Sequence, residues 1–177
     1  EGLAYPGSTF VGTDSHLNIL GAVGAFGQGM GDQDIAFAFK AGKTWFEVPP
    51  TMRVIVEGGL RPPCTARDLT LAVLRALGSK GALGRAIEFY GPAIEGLDLA
   101  GRITLASQVT EMGGIIGFPI DGIANSELRI TNYELMRGRT RESSPTPYSL
   151  LHTPLFADPD AEYVESVTVD ITGLEPL

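Results

Sequence analysis

A single cysteine, Cys64, is all the thiol this sequence holds. One thiol excludes an internal disulfide, and it excludes a thiolate cluster built by this chain alone. Basic clusters are missing as well: 13 Lys and Arg stand scattered against 21 Asp and Glu, for a formal charge of −8. A surface of that sign repels phosphate backbones, so nucleic acid is not expected as a partner. No apolar run approaches the ~20 residues of a membrane span, and the first residues do not resemble a secretory signal. The expectation is a soluble protein of the cytoplasm with no membrane partner. An initiator methionine is also lacking, and the last strand candidate is cut off soon after it forms, so an excised segment of a longer protein is expected.

What is present is a globular composition, 44% hydrophobic and 19% charged. A chain of 177 residues buries roughly 70% of its unfolded surface, enough for one full core or two small ones. It is organised around Thr9-Phe10-Val11-Gly12-Thr13-Asp14-Ser15-His16 and the glycine-studded run Leu20 to Gly31 behind it. A short buried strand over Ser8 to Gly12 would leave Asp14, Ser15 and His16 at its end, where open α/β folds keep their chemistry. Asp14 and His16, two apart on a strand, would face the same way and share a site without necessarily touching.

Glycines at 21, 24 and 27 share a spacing that, on a helix, keeps one side bare for the close approach of another backbone. Tight packing is one reading of them and a phosphate cradle the other, but the sixth position counted from Gly27 or Gly29 is aspartate, which departs from G-x-G-x-x-G. Asp32 can cap a second helix through Ile35 and Phe39 that ends at Ala41-Gly42. Strands are expected over Thr44 to Val48 and Arg53 to Glu57, with Pro49-Pro50 between them. In the second, Val54 and Val56 alternate with Arg53, Ile55 and Glu57, so one face should be wetter than the other.

Thr65-Ala66-Arg67-Asp68 is a capping signal for a helix with Leu69, Val73, Ala76 and Leu77 on one stripe, closed by Gly78. Cys64, just before that cap, reads as a small filler residue; no second cysteine can pair with it, and no histidine lies near it in sequence to make it a nucleophile. Strands follow at Ala86 to Tyr90 and Ile115 to Phe118, the latter stopped by Pro119. Between them a helix from Arg102 to Met112 would carry Thr104, Ser107 and Glu111 on one narrow polar stripe of an otherwise apolar surface. Such a helix should be buried, and a carboxylate there needs a partner. Either Glu111 is a paired, functional acid or it faces solvent at the helix end.

A helix over Asn132 to Arg137 and an aperiodic stretch over Glu142 to Pro159, with His152 as a surface histidine, lead to a final strand over Val164 to Ile171. The division expected is residues 1–43 for the strand-end corner and glycine-rich helices, 44–141 for an α/β subdomain, and 142–177 for a linker and the entry strand of a next domain. Strands alternating with helices imply α/β layering with at least one mixed sheet. Two function classes survive at this point: an enzyme fragment using Asp14, Ser15, His16 and Glu111 together, and a non-catalytic scaffold or partner-binding module in which they are a hydrogen-bond network.

Val11-Gly12-Thr13-Asp14-Ser15-His16, with Gly21-Ala22-Val23-Gly24-Ala25 and Gly29-Met30-Gly31 behind it, resembles the large-subunit signature of the aconitase family, the 3-isopropylmalate dehydratases and homoaconitases in particular. The resemblance continues through Thr65 to Leu69, Gly81 to Gly84, Ile87 to Gly91, Thr104 to Ser107 and Glu111-Met112-Gly113, and thins after Ile123. It implies an aconitase-like layered fold and part of an iron–sulfur hydro-lyase. Such an enzyme isomerises a 2-hydroxy di- or tricarboxylic acid by removing water and adding it back at the neighbouring carbon, with a [4Fe-4S] cluster as Lewis acid.

By the same resemblance, Asp14 would be an active-site carboxylate, Ser15 would bind a substrate carboxylate, and His16 would pair with Glu111 for proton traffic. Ser107 would bind substrate, although many members carry asparagine there. The family's cluster cysteines lie in a later domain and its serine base and arginines in a swivelling last domain, in the dehydratases a separate small subunit. The remainder of the large subunit and that small subunit are therefore the implied partners, with a small hydroxy acid as substrate. No metal ligand is expected in this chain, and the isolated segment should be inactive. His16 and Glu111 should approach within about 2.6–3.2 Å.

Overall fold

A computed structural model describes residues 3–123 and 155–176. The expected helix over Asn132 to Arg137, and His152, lie outside them. The strands are β1 (Thr9–Gly12), β2 (Phe26–Gly29), β3 (Thr51–Glu57), β4 (Ala86–Tyr90), β5 (Ile116–Pro119), β6 (Gly122–Ile123), β7 (Phe156–Ala157) and β8 (Glu165–Asp170). The helices are α1 (Asp32–Ala41), α2 (Ala66–Leu77), α3 (Pro92–Glu95) and α4 (Leu99–Ser107), with 3-10 segments at Leu17–Val23 and Gln108–Met112.

A four-stranded sheet of order β5-β4-β3-β8 forms the centre, and β1-β2 and β6-β7 form small sheets. The α/β layering is as expected, but the mixed sheet is not: every strand pairing among the described residues is parallel. The reason is that β3, β4 and β5 are joined by helical crossovers, which return the chain to the same end of the sheet before the next strand begins. β8 runs beside β3 in register Val54↔Val167 and Val56↔Val169.

The alternation in β3 has its expected effect. Met52, Val54 and Val56 are wholly buried while Glu57 is exposed, and register brings Ile87 beside Met52 and Phe89 beside Val54. Leu69 and Val73 of α2, with Leu105 of α4 and Val109 and Met112 after it, close over that face. Burying each such side chain contributes about 1.5–3 kcal/mol. The Asp68 carboxylate accepts from the Thr65 backbone N–H and hydroxyl, both at 2.8 Å, so the cap at the start of α2 forms as its sequence implies. Ala76 is exposed rather than on the buried stripe, because it lies in the last turn of α2, where Arg75 and Gly78 are exposed as well.

Four further expectations are corrected. No strand forms over Thr44 to Val48, where Trp45 and Val48 stay exposed: Pro49-Pro50 and the absence of a neighbouring strand leave that backbone unpaired. Asp32 is the first residue of α1 rather than its cap, which is Gly31; its charge still lies at the positive end of the helix dipole. Pro119 belongs to β5 instead of stopping it, which an edge strand permits because one side needs no N–H donor. The glycine run is not one α-helix: it is the end of a 3-10 segment, a left-handed turn at Gly24 with φ +72°, and then β2.

That last correction has a steric cause. A Cβ on Gly21 would stand 2.0 Å from the Gly117 carbonyl oxygen, and one on Gly27 2.1 Å from the Leu17 carbonyl oxygen. Close backbone approach is what these glycines serve, Gly21 within the 3-10 segment and Gly27 within β2.

Candidate functional site

Asp14, Ser15 and His16 follow the carboxyl end of β1 as a turn rather than as further strand. Asp14 shapes that turn, its Oδ1 accepting the His16 backbone N–H at 2.8 Å. This is the aspartate habit of bonding backbone two residues on. Its side chain is 74% exposed, and its Nδ1 contact from His16 is a long 4.0 Å. The imidazole stands instead between two other groups: Ser15 Oγ lies 3.2 Å from Nδ1 and Glu111 Oε1 lies 3.4 Å from Nε2. The His16–Glu111 distance is slightly longer than a well-formed hydrogen bond. An ionised carboxylate only accepts, so in the neutral ring the proton belongs on Nε2 and the Nδ1 lone pair faces the Ser15 hydroxyl.

Glu111 reaches this position because α4 does not continue. After Ser107 the chain tightens into the 3-10 segment Gln108–Met112 and leaves through Gly113 at φ +79°. Four residues then advance by about 480° instead of 400°, which leaves Glu111 about 120° around the axis from Ser107 instead of about 40°. The expected single stripe is thereby split. Thr104 bonds back to the Ala100 carbonyl, and the Ser107 hydroxyl has no hydrogen-bond partner among the described residues. Glu111 is 52% exposed and His16 41% exposed, so Glu111 is not the buried acid of an all-round apolar helix. Val109 supplies the reason: its methyl groups fill the space that a Cβ on Gly114 or Gly117 would occupy, and drawing Val109 inward turns Glu111 outward.

Sequence reasoning missed two contributors. Gly29, at the end of β2, lies directly under the corner backbone; its neighbours in the glycine run masked any individual role. Thr110 donates its hydroxyl to the Ser15 carbonyl at 3.1 Å, a contact between residues 95 apart that no local signal announces.

Cys64 plays no part here. Its Sγ lies 3.2 Å from the Leu174 carbonyl oxygen, and desolvation, then the carboxylates of Asp68 and Glu175, push its thiol pKa up. That is the filler role expected of it, since a reactive thiol needs the opposite shift. One thiol so engaged does not fit an iron–sulfur cluster, and among the described residues no group of three or more His, Cys, Asp or Glu is placed to hold a metal ion. No described helix is long and apolar enough to cross a membrane.

The acid–histidine corner at the carboxyl end of a parallel strand pair can be set beside known proteins. The model of the aconitase family (aconitate hydratase) matches residues 1–177, and the chain belongs to that family. It is 40% identical over 176 residues to a 3-isopropylmalate dehydratase large subunit of Nitratidesulfovibrio vulgaris, covering 99% of this chain and 38% of the relative. It is 39% identical over 177 residues to a probable methanogen homoaconitase large subunit of Methanosarcina mazei, covering 99% of this chain and 41% of the relative. With a 3-isopropylmalate dehydratase large subunit 1 of Thermotoga maritima, identity is 37% over 172 residues, covering 97% and 38%. The chain thus spans about two fifths of the length of the curated relatives it matches.

Proposed function

We propose that this chain forms one wall of the active site of a cytoplasmic hydro-lyase. The enzyme isomerises a 2-hydroxy di- or tricarboxylic acid by dehydration and rehydration, in the manner of 3-isopropylmalate dehydratase or homoaconitase. The observation that carries this reading is the 3.4 Å approach of His16 Nε2 to Glu111 Oε1 beside an open Asp14, in a chain of the aconitase family. An exposed pair of this kind contributes only about 0–1 kcal/mol to stability. Its value is chemical rather than structural.

Loss of water needs a proton at the departing hydroxyl. His16, with its Nε2 proton directed at Glu111 and its Nδ1 steadied by Ser15, is held in one orientation for accepting and passing on such a proton. Asp14 has one oxygen fixed on the corner backbone and a second free of partners among the described residues, on a side chain that is largely exposed. Ser107 would bind a substrate carboxylate through its hydroxyl, and Ser15 would do so by turning its single hydroxyl proton from His16 Nδ1 to the substrate, which leaves Nδ1 free to accept a proton.

The donor set of this chain, with its single thiol, does not fit a [4Fe-4S] cluster, so the cluster of the complete enzyme would be held by residues outside it. In this reading residues 1–43 carry the corner, 44–141 the α/β subdomain, and 142–177 lead toward the remainder of a large subunit. A small swivelling-domain subunit completes the pocket, and this chain alone is inactive.

The test is turnover by the full-length gene product with its small subunit, assayed with isopropylmalate, homoaconitate-type acids and citrate. Turnover of one of them, reduced about 10²–10⁴-fold by His16→Ala and by Glu111→Gln, is the expected result. No turnover of any, or variants as fast as the parent, would overturn the reading and favour a non-catalytic scaffold or partner-binding module.

A further inference from the structure

Among the described residues Asn18 carries the one buried side-chain amide, 2% exposed within the 3-10 segment Leu17–Val23. Its Nδ2 donates at 2.9 Å to Thr110 Oγ1, and Thr110 Oγ1 donates at 3.1 Å to the Ser15 carbonyl. The direction of this relay follows from proton counting. A hydroxyl has one proton, and here the Ser15 carbonyl, which can only accept, takes it. Thr110 therefore receives from Asn18, and the amide must turn its NH₂ group toward the hydroxyl.

The relay passes within one residue of each member of the proposed pair: Ser15, at its end, adjoins His16, and Thr110, at its middle, adjoins Glu111. Neither partner of the pair lies in a sheet that contains the other, for His16 follows β1 of the two-stranded sheet while Glu111 follows α4. Ladder hydrogen bonds therefore do not fix their separation. The two bonds through Thr110 do join the two turns: the buried Asn18 amide anchors the hydroxyl from one side through a part-buried bond, and the half-buried Thr110 passes its own proton across to the Ser15 carbonyl, so the hydroxyl is tied to both turns at once.

We propose that Asn18 and Thr110 are positioning residues that hold the His16 turn against the Glu111 turn and so set the His16–Glu111 distance. The inference rests on the reading of that pair as the functional one.

The test is NMR on the whole chain, whose two histidines give a simple imidazole spectrum. The readouts are the ¹⁵N shift of His16 Nε2 and the nuclear Overhauser effect between the His16 ring and the Glu111 side chain. Glu111→Ala calibrates loss of the pair. Thr110→Val and Asn18→Ala are expected to weaken the Overhauser effect several-fold and move the Nε2 resonance toward its Glu111→Ala position, while Thr110→Ser keeps both at wild-type values. Wild-type readouts in folded Thr110→Val would overturn the positioning role alone. If Glu111→Ala itself leaves Nε2 unmoved and the wild type lacks the Overhauser effect, the pair falls and this inference with it. Thr110 is half-buried and valine matches its shape, so that variant carries the test even if Asn18→Ala unfolds.

Discussion

A Cβ on Gly29 would stand 2.6 Å from the Asp14 carbonyl oxygen and 3.1 Å from the Ser15 Cα. The last residue of β2 is thus the floor on which the corner turn rests. Because the obstructing atoms are backbone, they cannot swing aside as the end of a flexible side chain would. Gly29→Ala should cost about 1–3 kcal/mol, measured by urea denaturation. Crystals of the variant should show the Asp14 to His16 backbone lifted away from Glu111. Unchanged stability and geometry would mean the turn is more yielding than its packing implies.

Asp121 pairs with Arg102 through both carboxylate oxygens and also accepts the Leu155 backbone N–H at 2.7 Å. The two charged side chains are only 14% and 20% exposed. Removing one partner of such a pair strands the other, so Asp121→Ala should lose about 3–5 kcal/mol. Replacing both, as in Arg102→Met with Asp121→Leu, should recover part of that loss. Additive losses in the denaturation midpoints would argue against the pairing.

The alkaline limb of the stability curve depends on Tyr90 and Tyr163, whose hydroxyls both donate to Glu88 Oε2 at 2.6 Å. Desolvation, then the bond to Glu88, raises the pKa of each phenol. A raised folded-state value means the folded chain keeps a proton that the unfolded chain has begun to release. The contribution is complete below the unfolded tyrosine pKa of about 10 and is lost as pH climbs above it. Unfolding followed from pH 8 upward should therefore steepen above about pH 10. Tyr90→Phe should flatten that limb; equal slopes in the two proteins would refute the linkage.

Anaerobic reconstitution of the isolated chain with iron and sulfide should give no stoichiometric iron–sulfur absorbance, and Cys64→Ser should leave the spectrum unchanged. The reason is ligand number: one thiol cannot replace the several that such clusters require. A stoichiometric spectrum abolished by the Cys64 variant would reassign that residue.

Local rules carried far in this chain. Thr65 and Asp68 announced the cap of α2, the alternation of β3 announced its buried face, and Val164 to Ile171 announced β8. Each is decided by side chains within a few residues of one another. The glycine run was misread because glycine permits both a helix and an extended strand, and the choice fell to Gly117 and Leu17 pressing on Gly21 and Gly27. Helical periodicity picks out Glu111 but leaves open whether it is paired or faces solvent, since its half-exposed setting depends on the change to 3-10 geometry at Gln108 and on Val109 packing against Gly114 and Gly117.

Sequence by itself determined the residue types of the corner, the family to which they point, and the shortage of thiols. These are matters of composition and order along the chain. Only the tertiary structure decided that His16 and Glu111 meet half-exposed, across two turns and 3.4 Å apart, that Ser107 lies off that axis, and that Asn18 and Thr110 tie the two turns together. Those contacts join residues 92 and 95 positions apart, and partners so distant are chosen by the packing of whole elements, which no local pattern encodes.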